Sequence, residues 1–387
     1  MRHDIVVVGG GPVGAAAALS LHDAGFDVAL VERGAAPPRW NASDYDLRVY
    51  ALAPASQQLL DELGVWDTMV AARVSPYTRM RVWERGPESA LQFSAADAFR
   101  SQLGWIVEHG LITSTLWQRL QALPIFTQAE IESVQFDDGA AGVNLRDGRR
   151  LEARLVVAAD GADSQMRRLA GIETLSWRYD QRAIVAHVQT SQPHRDTAWQ
   201  RFLKTGPLAF LPLADGRASI VWSADDAQAD ALLALDDAAF CDRLARASEF
   251  VLGDVLQTTA RIGVPLKLMH ARDYTAPGMV LIGDAAHAVH PLAGQGANLG
   301  FADVAALTAT LVQARSAGRD WSSPRTLARY VRQRKAHNLE MLALTDTLYR
   351  AFRPSLPGLR GALGFGMGAL NRSAPLKAWL AGRAAKA

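Results

Sequence analysis

The chain has 387 residues, enough for two or three domains at roughly 150 residues each. It is 49% hydrophobic and 21% charged, as expected of a globular protein with a full core, and its net charge of +2 provides no global field for nucleic acid. The single cysteine, Cys241, excludes an internal disulfide and a cysteine-based metal cluster, fits a reducing compartment, and reads as a small buried apolar residue.

The first segment, Ile5 to Leu21, carries no charge. Its four glycines and one proline, and a length short of the roughly 20 residues of a spanning helix, argue against a signal peptide or membrane span. It reads instead as a strand over Ile5–Val8, the triplet Gly9-x-Gly11-x-x-Gly14, and a helix to about Ala24. A second strand follows over Val28–Val31 and is closed by Glu32. Gly9 permits the tight turn, Gly11 lets the backbone approach a pyrophosphate, and Gly14 lets the helix pack on the strand. The helix N-terminus offers free N–H groups to phosphate, and Glu32, 18 residues past Gly14, is placed for a ribose. This pattern predicts dinucleotide binding without separating FAD from NAD.

Further on, "RLEARLVVAADGADSQMRRLAG" predicts a buried strand over Leu155–Ala159 ending at Asp160-Gly161, with Asp163, Ser164 and Arg167 after it. Two readings stand side by side: a ligand-binding strand end, or a turn leading into a helix capped by Asp163 or Ser164. The segments "YTRMRVWE", "RAIVAHVQT", "PLAFLPL" and "RASIVWS" read as strands of an antiparallel sheet, with Trp199, Phe210 and Trp222 in its core and a helix near Asp236–Ala247. The third motif is "MVLIGDAAHAVHPLAGQGANLG". It predicts a strand over Met279–Ile282, an acid at its end, and a helix beginning after Gly296 and running past Leu311. Glycines at Gly294, Gly296 and Gly300 suit a backbone passing close to a flat or charged group. His287 and His290 are spaced like metal ligands but lack a nearby third, so no metal is expected. From Thr347 to Ala387 there is no acid, while seven Arg and Lys lie among Leu, Phe and Trp. That pattern suits either contact with an anionic membrane surface or a basic helix packed on the body of the protein.

The three motifs, in this order and spacing, resemble the group A flavoprotein monooxygenases of the para-hydroxybenzoate hydroxylase type of fold. The stretches "DLRVYALAPASQQLLDELGVWD", "WIVEHGLITSTLWQRL", "GPLAFLPLADGRASIVWS" and "HPLAGQGANLGFADVAAL" resemble the ubiquinone-biosynthesis hydroxylases in particular, as does the late "HNLEMLALTDTLYRAF". The resemblance implies an α/β fold with a discontinuous Rossmann-like FAD-binding domain over 1–75, 104–178 and 271–345. It pairs this with an antiparallel-sheet substrate domain over 76–103 and 179–270, and a helical, basic C-terminal region over 346–387.

By the same resemblance, Gly9, Gly11, Gly14, Glu32 and Arg33 hold the ADP part of FAD. Asp160, Gly161 and Asp163 serve FAD and nicotinamide nucleotide. Gly283 and Asp284 bind the riboflavin part, and Pro291, Gly294, Gln295, Gly296, Ala297 and Asn298 pack by the isoalloxazine. Arg48 lies near the FAD, and His109 sits where relatives often place a flavin-contacting amide. Ala297 replaces the leucine of "GQGLNLG". The implied activity is hydroxylation of an aromatic ring with FAD, NAD(P)H and O2, on a polyprenylated phenol of ubiquinone biosynthesis. The implied setting is cytoplasmic, peripheral on the cytoplasmic membrane face or within a quinone-synthesis complex. Two alternatives accompany it: a hydroxylase of a small soluble phenol, and a structural flavoprotein subunit of such a complex. No Trp-x-Trp-x-Ile-Pro run supports a halogenase, and no residue stands out as catalytic acid or base.

Overall fold

The computed structural model of the chain describes residues 1–87, 90–137, 140–288 and 295–352. His290, Pro291, Gly294 and most of the basic tail lie outside them.

An eight-stranded sheet carries the first layer. Its central strands are Met279–Leu281, Arg150–Ala158, Arg2–Val8 and Val28–Val31, all parallel to one another. The three strands that lead into the motifs are therefore neighbours, and they end level: Val8 lies opposite Ala158, and Ala158 opposite Leu281. Burial on both faces explains their unbroken β-branched runs. Ile5, Val6, Val7, Leu155, Val156, Val157, Val280 and Leu281 are all 0% exposed.

The helix Pro12–Asp23 follows the first turn and buries Ala15 to Leu19 against this sheet. The longer helix Gln295–Ser316 packs on it, and the close approach depends on Gly300, where a Cβ would come within 2.5 Å of Val13. A 29-residue helix, Pro324–Phe352, runs beside the Gln295–Ser316 helix.

A nine-stranded sheet forms the second layer. Its centre is antiparallel: Ile262–Ala271, Thr174–Thr190, Ala218–Asp225, Gly206–Pro212 and Thr197–Leu203 follow in that spatial order. One pairing departs from the antiparallel expectation. Arg79–Trp83 runs parallel to Thr197–Leu203, because it enters from a distant part of the chain rather than through a hairpin.

Side-chain alternation gives this sheet two different faces. Ile184, Ala186, Val188, Leu208, Phe210, Ile220 and Trp222 form a core with the helices Asp226–Leu233 and Asp237–Ala247. The expected sheet-core aromatics are here, with Trp199 packed at the margin, and so is the buried Cys241. The helix Asp237–Ala247 begins where the sequence places it, capped by Asp236, whose carboxylate accepts the Ala239 N–H at 2.7 Å. The opposite face looks back at the ends of the parallel strands.

Candidate FAD and substrate site

Between the strand ends and that second face lies a cavity of about 900 Å³. Its walls include Gly9, Gly11, Glu32, Arg33, Arg48, His109, Asp160, Gly161, Asp163, Asp284, Gly296 and Ala297. Residues separated by nearly 300 positions in sequence thus face one space.

The first turn is built for close approach to a ligand. Gly9 has φ +106°, and a Cβ there would lie 2.4 Å from the Ala159 carbonyl oxygen. A Cβ on Gly14 would lie 1.9 Å from the Gly9 oxygen, so only glycine lets the helix start this near the strand. A Cβ on Gly11, by contrast, would meet nothing within 4 Å. Gly11 caps the helix without a side-chain hydrogen bond, so the first N–H groups and the positive end of the helix dipole face the cavity wall. Glu32 accepts N–H bonds from Gly10 at 2.6 Å and Gly34 at 2.7 Å, leaving lone pairs for a ribose. Trp117, which sequence reasoning did not single out, secures the same turn by donating from Nε1 to the Gly10 carbonyl at 2.7 Å.

In the second motif Asp160 accepts from the Ser164 hydroxyl at 2.5 Å and the Met166 N–H at 3.0 Å. Ser164, not Asp163, caps the short helix Gln165–Leu169 by accepting the Arg167 N–H at 2.9 Å. The turn leading into a capped helix is present, and Asp160 and Gly161 also line the cavity. Asp163 is exposed and lies 3.7 Å from Lys267 Nζ.

The third motif is held from behind. Gly283 turns with φ +58°, and its N–H donates to Asp303 Oδ2 at 2.9 Å. Asp303 is 0% exposed and also accepts from His287 Nε2 at 2.6 Å and Arg334 Nε at 2.7 Å. Burial alone would raise its pKa, but His287 and Arg334 outweigh burial and hold the carboxyl below its usual range. His287 is therefore the partner of a buried acid, and among the described residues no group of three or more His, Cys, Asp or Glu is arranged to hold a metal. Asp303 carries no sequence signal beyond an acid inside an apolar helix.

Asp284 stands on the cavity wall, and no hydrogen bond from a described residue reaches its carboxylate. Burial pushes its pKa up, against the opposing charges of His287 and Arg48. Gly296 lines the wall at the start of its helix, with open space where a Cβ would stand. Ala297 lines the wall beside it. Asn298 does not: its side chain is buried, accepting from Ala53 N at 2.8 Å and Ser56 Oγ at 2.7 Å and donating to the Ala51 carbonyl at 2.8 Å. It ties the helix start to the neighbouring strand and helix. Gln295 is the first residue of that helix.

Arg48 extends along the wall beside Tyr50, its guanidinium carbon 5.6 Å from the ring centroid. His109 begins the helix His109–Arg119, and its Nδ1 lies 3.0 Å from the Tyr50 hydroxyl. Burial and the nearby Arg48 charge lower the His109 pKa to about 4, so the ring is neutral near pH 7. Burial likewise raises Tyr50 to about 12.

This donor set fits FAD. A helix N-terminus open to the cavity would meet a pyrophosphate, Glu32 has free lone pairs for a ribose, Asp284 offers an unshared carboxylate to a polyol, and Gly11 and Gly296 leave space for close approach. The apolar second-sheet face then lies across the cavity.

Comparison with known proteins agrees. The FAD-binding domain family matches residues 2–345. The chain is 40% identical to the 3-demethoxyubiquinol 3-hydroxylase of Escherichia coli, over 97% of this chain and 96% of that one. It is 38% identical to the ubiquinone hydroxylase UbiL of Rhodospirillum rubrum, over 97% and 87%, and 34% identical to the human ubiquinone biosynthesis monooxygenase COQ6, over 97% and 91%. Among solved structures, a p-nitrophenol 4-monooxygenase of Pseudomonas putida shares the fold with a TM-score of 0.79 at 20% identity, covering 99% of this chain and 98% of that one. A probable FAD-dependent monooxygenase of Pseudomonas aeruginosa shares it with a TM-score of 0.79 at 24% identity, covering 95% and 100%. The chain is an FAD-dependent monooxygenase with NAD(P)H as co-substrate, and it belongs to the family of the ubiquinone-biosynthesis hydroxylases.

Proposed function

We propose that this enzyme hydroxylates the ring of a prenylated phenol on the way to ubiquinone. The observation that carries the reading is the apolar wall opposite the FAD residues. Ala183, Val185, Ala209, Leu211, Val221 and Leu266 line it, and it continues to Ile262 and Val264, which are 42% and 44% exposed. An apolar surface that runs from the reaction chamber to an open edge suits a ring bearing a long hydrocarbon tail. The names of the relatives support the same substrate class.

FAD, when bound, supplies the electron transfer and oxygen activation. The chain's residues do the rest. The Pro12 helix and Glu32 would hold the ADP portion and Asp284 the polyol, and the positive end of the Gln295 helix would favour negative charge on the ring system. The sheet face orients the substrate and excludes water. A small soluble phenol would leave the open apolar edge unused.

The test is mass spectrometry of quinone-pathway lipids from cells lacking the protein. Accumulation of a prenylated phenol short of one oxygen supports the reading and names the ring position. An unchanged quinone pool, in cells with no redundant hydroxylase, overturns it.

Contact with a membrane surface is the second part of the proposal. It rests on the acid-free stretch 347–387 with its seven basic residues, and a substrate that resides in the bilayer favours it. Among the described residues no helix is long and apolar enough to cross a membrane. Co-sedimentation with anionic vesicles is expected for the full chain and not for a chain ending at Phe352; equal binding overturns this part.

A further inference from the structure

The wall that the nine-stranded sheet presents to the cavity is apolar except for Gln200, Ser219 and Ser223. Ser219 is 0% exposed, and its hydroxyl has no hydrogen-bond partner. Buried polar groups are nearly always paired, so an orphaned hydroxyl on a cavity wall points to a ligand atom as its partner.

A second orphan lies beside it. His187 is directly opposite Ser219 on the adjacent antiparallel strand, so the two side chains share a face, with Cβ atoms roughly 5 Å apart. His187 Nε2 lies 3.0 Å from the Asp46 carbonyl. A carbonyl only accepts, so Nε2 carries the proton and Nδ1 is a bare acceptor. That Nδ1 is buried and has no partner. Burial, joined by the Arg217 charge and opposed by the Asp46 hydrogen bond, lowers the pKa of His187 and keeps the ring neutral. The Tyr45 ring, edge-on with centroids 5.5 Å apart, helps to fix the imidazole.

We propose that Ser219 is the residue that recognises a hydroxyl group on the aromatic substrate, with His187 as its positioning residue. In this structure Ser219 Oγ and His187 Nδ1 are not bonded to each other; on binding, rotation of Ser219 about χ1 brings its O–H to His187 Nδ1, and a Ser219 lone pair accepts the substrate's O–H. Both orphaned atoms are then satisfied. The polarity is fixed by the tautomer of His187, so the wall selects a hydroxyl that donates. A methyl ether at the same ring position puts a methyl group against Ser219 and leaves its oxygen without a donor. The inference rests on the phenol-hydroxylase reading above and adds a residue and a rule of selectivity to it.

The test is isothermal titration of the FAD-loaded enzyme with an unprenylated alkylphenol and with its methyl ether. A short-chain prenylphenol is assayed for turnover in parallel. The native enzyme is expected to bind the phenol about tenfold more tightly than the ether, the worth of one hydrogen bond to a buried group. Ser219→Ala is expected to bring the phenol's Kd to that of the ether. The ether's own Kd does not rise, a result that damaged packing would not give. Ser219→Thr retains the hydroxyl and is expected to restore the preference. A Ser219→Ala enzyme that still prefers the phenol tenfold, or a native enzyme with no preference, overturns the inference. Turnover of the prenylphenol together with an unaltered preference in Ser219→Ala sinks the inference and leaves the function standing. A preference that depends on Ser219 in an enzyme inert toward prenylphenols does the reverse.

Discussion

The Arg167 guanidinium donates from Nη1 to the Ala285 carbonyl at 2.7 Å, fastening the second motif to the third across the sheet ends. Its Nη2 donates to the Ala162 carbonyl at 2.8 Å, and the residue is only 7% exposed. Arg167→Met removes two charge-assisted bonds while preserving bulk. It is expected to cost about 3 kcal/mol of stability, measured by urea denaturation, and to weaken FAD retention. Unchanged values for both would show that the two turns are held apart from this contact.

Two glycines three positions apart are expected to fail in different ways. Gly14→Ala drives a Cβ to 1.9 Å from the Gly9 oxygen and should destabilise the fold by more than ~3 kcal/mol. Gly11→Ala has open space for its Cβ and an ordinary φ of −65°, so thermal stability without FAD should hardly move. Its methyl group does occupy the cavity wall, so FAD affinity should fall. Thermal melts without FAD, set beside fluorescence titrations with it, separate the two effects.

Asp284 is expected to trade stability for binding. Its folded pKa is raised above the ordinary 3.8, so its ionised form disfavours the FAD-free fold. That cost is absent below about pH 4 and fully present once the pH has risen past the folded pKa. Asp284→Asn should therefore raise the melting temperature of the FAD-free protein at pH 7, with the gain fading as the pH falls toward 4. The same variant should lose FAD. Purification of Asp284→Ala with full flavin occupancy would contradict the polyol-binding role.

His109 gives the opposite pH signature. Its folded pKa, about 4, lies below the ordinary 6.5, so folding favours the neutral ring. The resulting stability is present above pH 6.5 and is lost as the pH falls toward 4. His109→Asn should flatten this part of the stability profile, read from urea midpoints across that window. An identical slope in both proteins would place the titration elsewhere.

The sequence made the cofactor half of the site legible because its signals are local. Gly9, Asp160 and Asp284 each follow directly on an apolar strand, and parallel pairing of those strands brings them together. What remained unread depends on contacts between distant segments. Asp303 and Arg334 look like ordinary polar residues of two helices until packing makes them a buried pair beneath Gly283. Arg167 reads as the residue after a cap, since nothing nearby in sequence announces Ala285. Asn298 belongs to a recognisable stretch, yet its side chain is taken up by Ala53 and Ser56, a use visible only when the helix is seated. Ser219 and His187 are unremarked members of alternating strands. The role proposed for them comes from antiparallel register, and no single segment encodes that.

The alternation along Ala218–Asp225 has a consequence for how such an enzyme can change. Ile220 and Trp222 face the helices, while Ser219, Val221 and Ser223 face the cavity. Adjacent codons therefore answer to different selective demands, one to folding and the next to ligand choice. A lineage can drift at Ser219, Val221 and Ser223 toward other aromatic ligands while the Trp222 side stays fixed. A combinatorial library restricted to the cavity-facing positions should accordingly yield mostly folded variants with altered preferences, whereas one restricted to the alternate positions should yield mostly insoluble protein.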